Sequence, residues 1–494
     1  MTPIITIVII VTAAVLAYFL KSEKSVRWST LVLAIAGGGS VFAMSLPVLF
    51  KISAIWSDSV WLMDNFSALM ATLVAFLYVS AAIVSFRYIG HEFEEKIISL
   101  DDLKLYFSLF HLFALCMIMT VLANNTLLLW MALEGTTLSS TFLVGLYRKK
   151  SSVEAAWKYI IICSTGISLG LLGILLLGYG SSTTGIGGND IFTLTSLFQN
   201  AHLISPEIIK WSFVFLFVGF GAKLGLAPMH IWLPDAHSNA PSPISGLFSG
   251  ILLNVALYGI IRFRFITDLA LGDNVWTSHL FLFFGFISII VPAFMMLVQS
   301  NYKRMLAYSS VEHMGIITFA LALSPVGAVA AVIHMIGHTL AKSMLFFGAG
   351  EILLNYKTTQ TDKIKALMKR APFTGMFFLL GILSIIALPP SVLFVSEYTI
   401  FVNAFNLHPV LSIFVFIALS VIAFAMLKST IGMLFSQHQE GEKNESVKRE
   451  RWNVSHSVMA VQLVLIIGLT FFLSSDNGFQ FVDSIAKNSI YISQ

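Results

Sequence analysis

Several titratable residues interrupt the long apolar runs of this 494-residue chain. Glu134 closes the string Leu127-Leu128-Leu129-Trp130-Met131-Ala132-Leu133-Glu134, and Gly135, Thr136 and Thr137 follow it. Lys223 lies midway along a run, in Phe220-Gly221-Ala222-Lys223-Leu224-Gly225. His334, His338 and Lys342 recur every fourth residue, which places them on one stripe of one helix, ~12 Å from end to end. Glu397 comes shortly after Leu388-Pro389-Pro390. The chemistry these residue types share is proton transfer. A buried lysine and a nearby carboxylate tune each other's protonation, and a neutral imidazole both accepts and donates a proton. The plainer reading is a buried Glu134–Lys223 pair that locks two helices, with core histidines bonded to backbone or hydroxyl groups. His334 and His338 have the spacing of two zinc ligands but lack the glutamate and third ligand of an HExxH group, so no metal site is expected.

A second tier surrounds these residues. His230, Asp235 and His237 follow Lys223, and Asn254 and His313 lie in the next polar strings; all five are candidate modulators. Lys158 reads either as an anchor whose amine reaches the membrane surface or as a modulator of Glu134. Lys428 reads as an anchor.

The elements that hold these residues are membrane helices. Apolar residues make up 57% of the chain and charged residues 11%, against ~25% charged in ordinary soluble proteins. That balance, with a mean hydropathy of +0.87, excludes a soluble enzyme and intrinsic disorder. The two cysteines, Cys116 and Cys163, exclude a disulfide scaffold and a cysteine-ligated iron–sulfur cluster. A spanning helix needs ~20 apolar residues. Fourteen runs qualify, near 3–20, 29–50, 66–87, 105–123, 125–146, 156–180, 211–233, 241–263, 278–299, 302–323, 327–354, 373–404, 409–435 and 453–474. Period-2 alternation is absent, which argues against a β-barrel. The fold class is therefore an all-α polytopic membrane protein of about fourteen helices. The first run has no basic residue ahead of it and reads as a transmembrane helix rather than a cleaved signal.

Two runs are interrupted. Pro228 and Pro234 follow Lys223 in the seventh, and Pro389 and Pro390 precede Glu397 in the twelfth. Proline breaks a helix, and irregular backbone is tolerated at membrane depth only inside protein or beside a water-filled cavity. The two broken runs are five spans apart, so they cross in opposite senses. This is the pattern of inverted repeats, with spans 4–8 mirrored by 9–13. The expected divisions are 1–100 (helices 1–3), 101–265 (first five-helix repeat), 275–436 (second repeat) and 450–494 (helix 14 and tail).

Charge sets the expected orientation. Loops after odd-numbered spans carry 20 Lys and Arg, whereas the opposite side, with both termini, carries five: Lys51, Lys210, Arg262, Arg264 and Lys487. The positive-inside rule then places both termini outside a plasma (inner) membrane. The clusters Arg148-Lys149-Lys150 and Lys363-Lys365-Lys369-Arg370 are topology signals, and no nucleic-acid partner is expected. Lys158, Lys223, Lys342 and Lys428 fall within spans. A charge at a span's centre costs ~2.5–3.5 kcal/mol on insertion scales, which marks these residues as functional candidates.

Four strings carry a resemblance: WMALEGTTLSSTFLVGLYRKKSSVEAAWKYIIIC, GFGAKLGLAPMHIWLPDAHSNAPSPISG, YKRMLAYSSVEHMGIITFAL and HMIGHTLAKSMLFFGAGEIL. They resemble the antiporter-like subunits of respiratory complex I and the Mrp type. The likeness is closest to the hydrogenase-4 type of membrane-bound nickel–iron hydrogenases and formate hydrogenlyases, and it runs from about residue 100 to 400. The resemblance implies that Glu134 is the fifth-helix glutamate, Lys223 the seventh-helix lysine, His334, His338 and Lys342 the eleventh-helix polar stripe, and Glu397 the exit-side residue of the twelfth. Glu134 and Lys223 would be the input pair. Some relatives carry an eighth-helix lysine where this chain has Asn254, so the centre of the path would run through water, the Asn254 amide or His334. The chain stops soon after span 14, so the lateral helix of the distal complex I subunit is expected to be missing.

The implied function is a proton-translocating membrane subunit of a complex I-like redox assembly, with no cofactor of its own. Nickel–iron and iron–sulfur centres would sit in partner subunits if the assembly is of hydrogenase type. The partners would be other membrane and peripheral subunits, the lipid bilayer, and protons or Na+. Two rivals remain: a membrane subunit of a cation/proton antiporter or inorganic-carbon uptake complex, and a membrane anchor that conducts nothing.

Overall fold

The computed structural model describes residues 3–185, 187–436, 450–487 and 489–491. The first six apolar runs each form one helix: α1 (Pro3–Phe19), α2 (Glu23–Leu49), α3 (Asn65–Glu94), α4 (Leu100–Leu122), α5 (Thr126–Val144) and α6 (Lys150–Ser182). A short helix α7 (Leu194–Asn200) then leads to α8 (Pro206–Leu224) and α9 (Trp232–Asn239), the two pieces of the seventh run. The eighth run is α10 (Ser242–Leu247), a π-helical segment (Phe248–Leu252) and α11 (Leu253–Leu271). Next come α12 (Val275–Leu297), α13 (Tyr302–Leu321), α14 (Pro325–Tyr356) and a surface turn, α15 (Leu367–Arg370). The twelfth run divides into α16 (Pro372–Ile385) and α17 (Val392–Leu407), followed by α18 (Pro409–Phe435), α19 (Val454–Leu473) and the amphipathic α20 (Asp476–Ala486). Among the described residues, eleven helical stretches are long and apolar enough to cross a membrane. The protein is a polytopic integral membrane protein.

Polarity is arranged opposite to that of a soluble fold. α14 is buried from Gly327 to Ile352 and carries its histidines and lysine inward. The outer helices turn large apolar side chains outward, among them Trp157, Phe294, Phe416 and Phe471. An apolar surface this extensive is stable only against lipid.

Helix contact relies on small residues, because lipid removes the hydrophobic drive between helices. Gly166, Gly170 and Gly173 of α6 lie against α8. A Cβ on Gly219 would stand 2.5 Å from the Gly170 nitrogen and 2.6 Å from the Gly166 oxygen. That approach lets α6 and α8 pack along much of their length.

Both proline-broken runs are broken, at positions set by local chemistry. α8 ends where Gly225 adopts a left-handed conformation (φ +80°), and residues 225–228 separate it from the turn that enters α9. Pro234 does not break the chain. It sits in the first turn of α9, where its missing N–H has no intrahelical acceptor to lose. Between α16 and α17, the Ser391 hydroxyl donates to the Ser384 carbonyl (3.0 Å) and accepts from the Leu393 N–H (3.2 Å). The break thus holds its own freed polar groups.

Two features depart from the sequence expectation. The π-helical segment gives no proline signal. Arg262 and Arg264, assigned above to a loop, lie inside α11, which continues to Leu271. Each finds a carboxylate: Arg262 bonds Asp64 at 2.6 Å and Arg264 stands 3.3 Å from Asp268. Pairing offsets the cost of burying a guanidinium and lets the helix run past the apolar count. Asp64, the residue that caps α3, lies outside the spans. Burial raises its carboxyl, but the Arg262 charge and the hydrogen bonds from Arg262 and Ser67 outweigh that and hold it below its ordinary value.

Two helix starts are built alike. Asn125 caps α5 by accepting from the N–H groups two and three residues on, and Asn301 caps α13 in the same way. Each asparagine also forms an isolated bridge with the chain after the following long helix, Asn125 with Thr193 and Asn301 with Gln360.

Candidate functional site

Close packing of α5, α6 and α8 builds the first cluster. Lys223, at the end of α8, is fully buried, and its amine donates to Thr137 Oγ1 (2.8 Å) and Tyr159 Oη (2.6 Å). The phenol in turn shares a hydrogen bond with Ser140 Oγ (2.8 Å). Glu134 lies one helical turn before Thr137 on α5. It accepts from Ser164 Oγ at 2.6 Å, while its second carboxylate oxygen is buried without a partner. No ion pair joins Glu134 to Lys223 among the described residues, so the lysine's partners are neutral hydroxyls. The simple lock of two helices by a salt bridge is not what the geometry shows.

Beyond Tyr159 the axis passes through aromatic rings to His237. Tyr159 packs on Trp232 (centroids 4.7 Å apart), and Trp232 lies nearly parallel to His237 (6.3 Å). Both nitrogens of His237 are buried without a hydrogen-bond partner, and its ring meets Phe248 of the π segment and Phe346 of α14. Asn254 faces α14 and donates to Thr339 Oγ1 (3.0 Å). Its own carbonyl oxygen is buried and unpartnered. Asn254 is therefore an amide held by a hydroxyl, and the ring nitrogens of His338, like those of His237, are buried without a hydrogen-bond partner.

The stripe on α14 faces α13, which turns a histidine and a glutamate toward it. Lys342 donates to the Leu306 carbonyl (2.8 Å) and to Ser309 Oγ. The His338 ring centroid is 5.3 Å from that of His313. His313 Nδ1 and His334 Nε2 are 2.9 Å apart, and His334 Nδ1 is 3.0 Å from Ser396 Oγ. Glu397 Oε1 lies 4.0 Å from His313 Nδ1, and Glu312 Oε2 lies 3.9 Å from His313 Nε2. Hydrogen-bond direction follows from the end of this chain. Ser396 donates to the Leu393 carbonyl (3.0 Å), so its oxygen accepts from His334 Nδ1–H. His334 Nε2 is then an acceptor, and the proton shared with His313 belongs to His313 Nδ1.

Other expected residues lie at the edge. Lys158 does not reach Glu134. Its amine pairs with Glu154 (2.6 Å) and Asp235 (3.1 Å), and Asp235 also pairs with Arg304 (3.2 Å), which ties α6, α9 and α13 together at the surface. It is a clamp, because Asp235 brings α9's acid to the amine. His230 is nearly buried beside Tyr308 (6.3 Å), with Nδ1 unpartnered. Lys428 lines an outer groove, its amine 6.0 Å from the Phe424 ring centroid.

Glu312, Tyr159 and Lys303 are among the buried groups that sequence reasoning misses. Glu312 is 4% exposed and stands next to His313, which is the more conspicuous of the two as the rarer type. Tyr159 lies one residue after Lys158, hidden among the chain's 13 tyrosines. Lys303 counts with the loops in the sequence; it is buried and donates to the Ala240 carbonyl (2.8 Å).

Known proteins share this arrangement of helices. Residues 123–423 match the family described as NADH:quinone oxidoreductase/Mrp antiporter, TM. The chain is 36% identical over 400 residues to the hydrogenase-4 component F homolog of Methylacidiphilum infernorum, covering 80% of this chain and 83% of that protein. It is 32% identical over 347 residues to NADH-quinone oxidoreductase subunit N of Ruthia magnifica, covering 69% and 68%. In structure it matches a chain of the membrane-bound sulfane sulfur reductase, an archaeal respiratory membrane complex, with a TM-score of 0.83. That match has 22% identity over 97% of this chain and 95% of the other.

Proposed function

The chain belongs to the NADH:quinone oxidoreductase/Mrp antiporter family of membrane subunits, and from that premise we propose that it translocates protons for a complex I-like redox assembly. Partner subunits of hydrogenase-4 or NADH-quinone oxidoreductase type carry out electron transfer, with any nickel–iron or iron–sulfur centres in those subunits. This chain couples the redox change to proton movement in a plasma membrane, with both termini on the outer side.

The observation that carries this reading is Lys223: a lysine with 0% exposure whose amine meets only hydroxyl groups. Unit charges 6–7 Å apart interact by ~2–3 kcal/mol at an effective dielectric of ~20. At such a separation a charge change shifts proton occupancy by one to two orders of magnitude, and Glu134, one helical turn from the Thr137 that holds the Lys223 amine, is the carboxylate that supplies it. The proton then passes by His237, with hydration around Asn254, to Lys342 and His338. His313, His334 and Glu397 lead it toward the exit. Glu312 stands on α13 with its carboxylate 3.9 Å from His313 Nε2 and serves the second half as Glu134 serves the first. The shared caps and bridges support an inverted repeat of spans 4–8 and 9–13.

The test is Lys223→Met in membrane vesicles. The assembly should form and transfer electrons, while dye-reported proton uptake falls to background. Wild-type pumping by an assembled Lys223→Met complex would refute the relay.

A further inference from the structure

We propose that His313, His334 and Glu397 form a three-ligand site for a divalent transition-metal ion of the zinc class. The three come from different helices, α13, α14 and α17, and their ligand atoms lie within 4.8 Å of one another. Zinc bonds of ~2.0–2.2 Å in tetrahedral geometry would separate the ligand atoms by roughly 3.3 Å. The two imidazole nitrogens stand 2.9 Å apart and the carboxylate oxygen 4.0 Å from His313 Nδ1. All three ligand atoms lie within 4.8 Å of one another, so the Glu397 carboxylate closes by up to about 1.5 Å to reach bonding distance. His338, the sequence partner of His334 in the zinc-like spacing, is not a member; the second imidazole comes from His313 on α13 and the third ligand is the Glu397 carboxylate on α17.

The surroundings have the form that metal-bound histidines require, in which the nitrogen away from the metal is held by a second group. His334 Nδ1 donates to Ser396 Oγ, which fixes the lone pair of Nε2 toward the site. When a metal takes His313 Nδ1, the ring's proton moves to Nε2, which faces Glu312 Oε2 at 3.9 Å. Glu397 in the inner shell and Glu312 behind His313 supply two carboxylates against a dication. Two imidazoles and one carboxylate select transition metals over Na+, Mg2+ or Ca2+. A fourth position stays open to water or an incoming proton carrier. Access comes from the side of Glu397, the one ligand that is not fully enclosed, at 16% side-chain exposure.

Metal binding stands apart from the relay reading; its consequence rests on it, because a bound dication would hold the nitrogen and oxygen that the exit half needs. The test uses the purified whole assembly after chelator dialysis, titrated with Co2+ as the coloured probe. Wild type should bind one more Co2+ per chain than His334→Gln and Glu397→Gln, with a visible ligand-field spectrum that Zn2+ abolishes. Ser396→Ala should weaken that binding by about 10- to 100-fold while keeping the spectrum. Equal cobalt stoichiometry in wild type and both ligand variants would overturn the site. Glu397→Gln, at the open edge, remains informative if His334→Gln fails to assemble. Zinc is then added at the concentration that fills the site: loss of pumping supports both readings. Binding without inhibition leaves the metal site standing and counts against the relay.

Discussion

Replacing Tyr159 by phenylalanine removes one oxygen from the Lys223 site and leaves the ring on Trp232. The Lys223 amine has two hydrogen bonds to side chains, at 2.8 Å to Thr137 and 2.6 Å to Tyr159. A hydrogen bond to a charged group contributes about 1.5–3 kcal/mol. The neutral amine gains much less from the phenol, so most of this is lost from the protonated form alone. The ratio of protonated to neutral Lys223 should fall roughly 10- to 150-fold. At neutral pH proton uptake per electron pair should drop, and lowering the pH by about one to two units should restore it. The assay is the proton-to-electron ratio in vesicles across a pH series, with electron transfer measured separately. Ser140→Ala, which leaves both Lys223 partners in place, is the control and should shift the profile less. A Tyr159→Phe complex with the wild-type pH profile would show that the lysine's hydroxyl environment does not set its proton occupancy.

Two further outcomes concern the scaffold. Asp64→Asn leaves the buried Arg262 guanidinium without its charge partner, which should cost about 3–5 kcal/mol, read as a lower thermal unfolding temperature. Because Arg262 holds the folded carboxyl below its ordinary 3.8, this stabilisation is complete above that value and is lost as pH falls through the folded one; Asp64→Asn should lack that acid-dependent loss. Gly219→Ala places a methyl group against the backbone of Gly166 and Gly170, so α6 and α8 must separate. Lower assembled yield and weakened pumping should follow, and an unchanged complex would contradict the close contact.

The parts of the site legible in the sequence are those marked by cost. A lysine or glutamate amid leucines is conspicuous because insertion penalises it, and Glu134, Lys223, Lys342 and Glu397 stand out on that ground. The breaks are legible for a similar reason, since proline removes a donor. What stays hidden has no such cost or no local signal. Tyr159 and Thr137 are ordinary residues of membrane helices, and only the packing of α5, α6 and α8 makes them the partners of Lys223. The π segment Phe248–Leu252 holds no proline of its own, and Pro243 ahead of it sits in the first turn of α10. Arg262 looks like a loop residue because its partner, Asp64, lies 198 positions away. Lys158 reads ambiguously between two roles, because the acid that holds it, Asp235, is 77 positions away on another helix.

The contrast between rim and axis supports the proposal that the buried charges serve transport rather than anchoring. Away from the axis the protein pairs opposite charges: Arg262 with Asp64, Arg264 with Asp268, Arg148 with Asp102, and Arg87 with Glu351. Along the axis, among the described residues, neither Lys223 nor Lys342 has a carboxylate within 4.0 Å. Each rests on hydroxyl or carbonyl oxygens, and His313 and His334 rest on each other. A tight ion pair fixes the proton on the base, because removing it strands a buried carboxylate. An amine held by hydroxyls gains less from being charged, so its two protonation states lie closer in free energy and a distant charge can switch them. A chain built only to anchor its neighbours would gain by pairing these lysines as it pairs its arginines. Leaving them unpaired costs stability in every copy, and on the proposed relay reversible proton occupancy is what that cost secures.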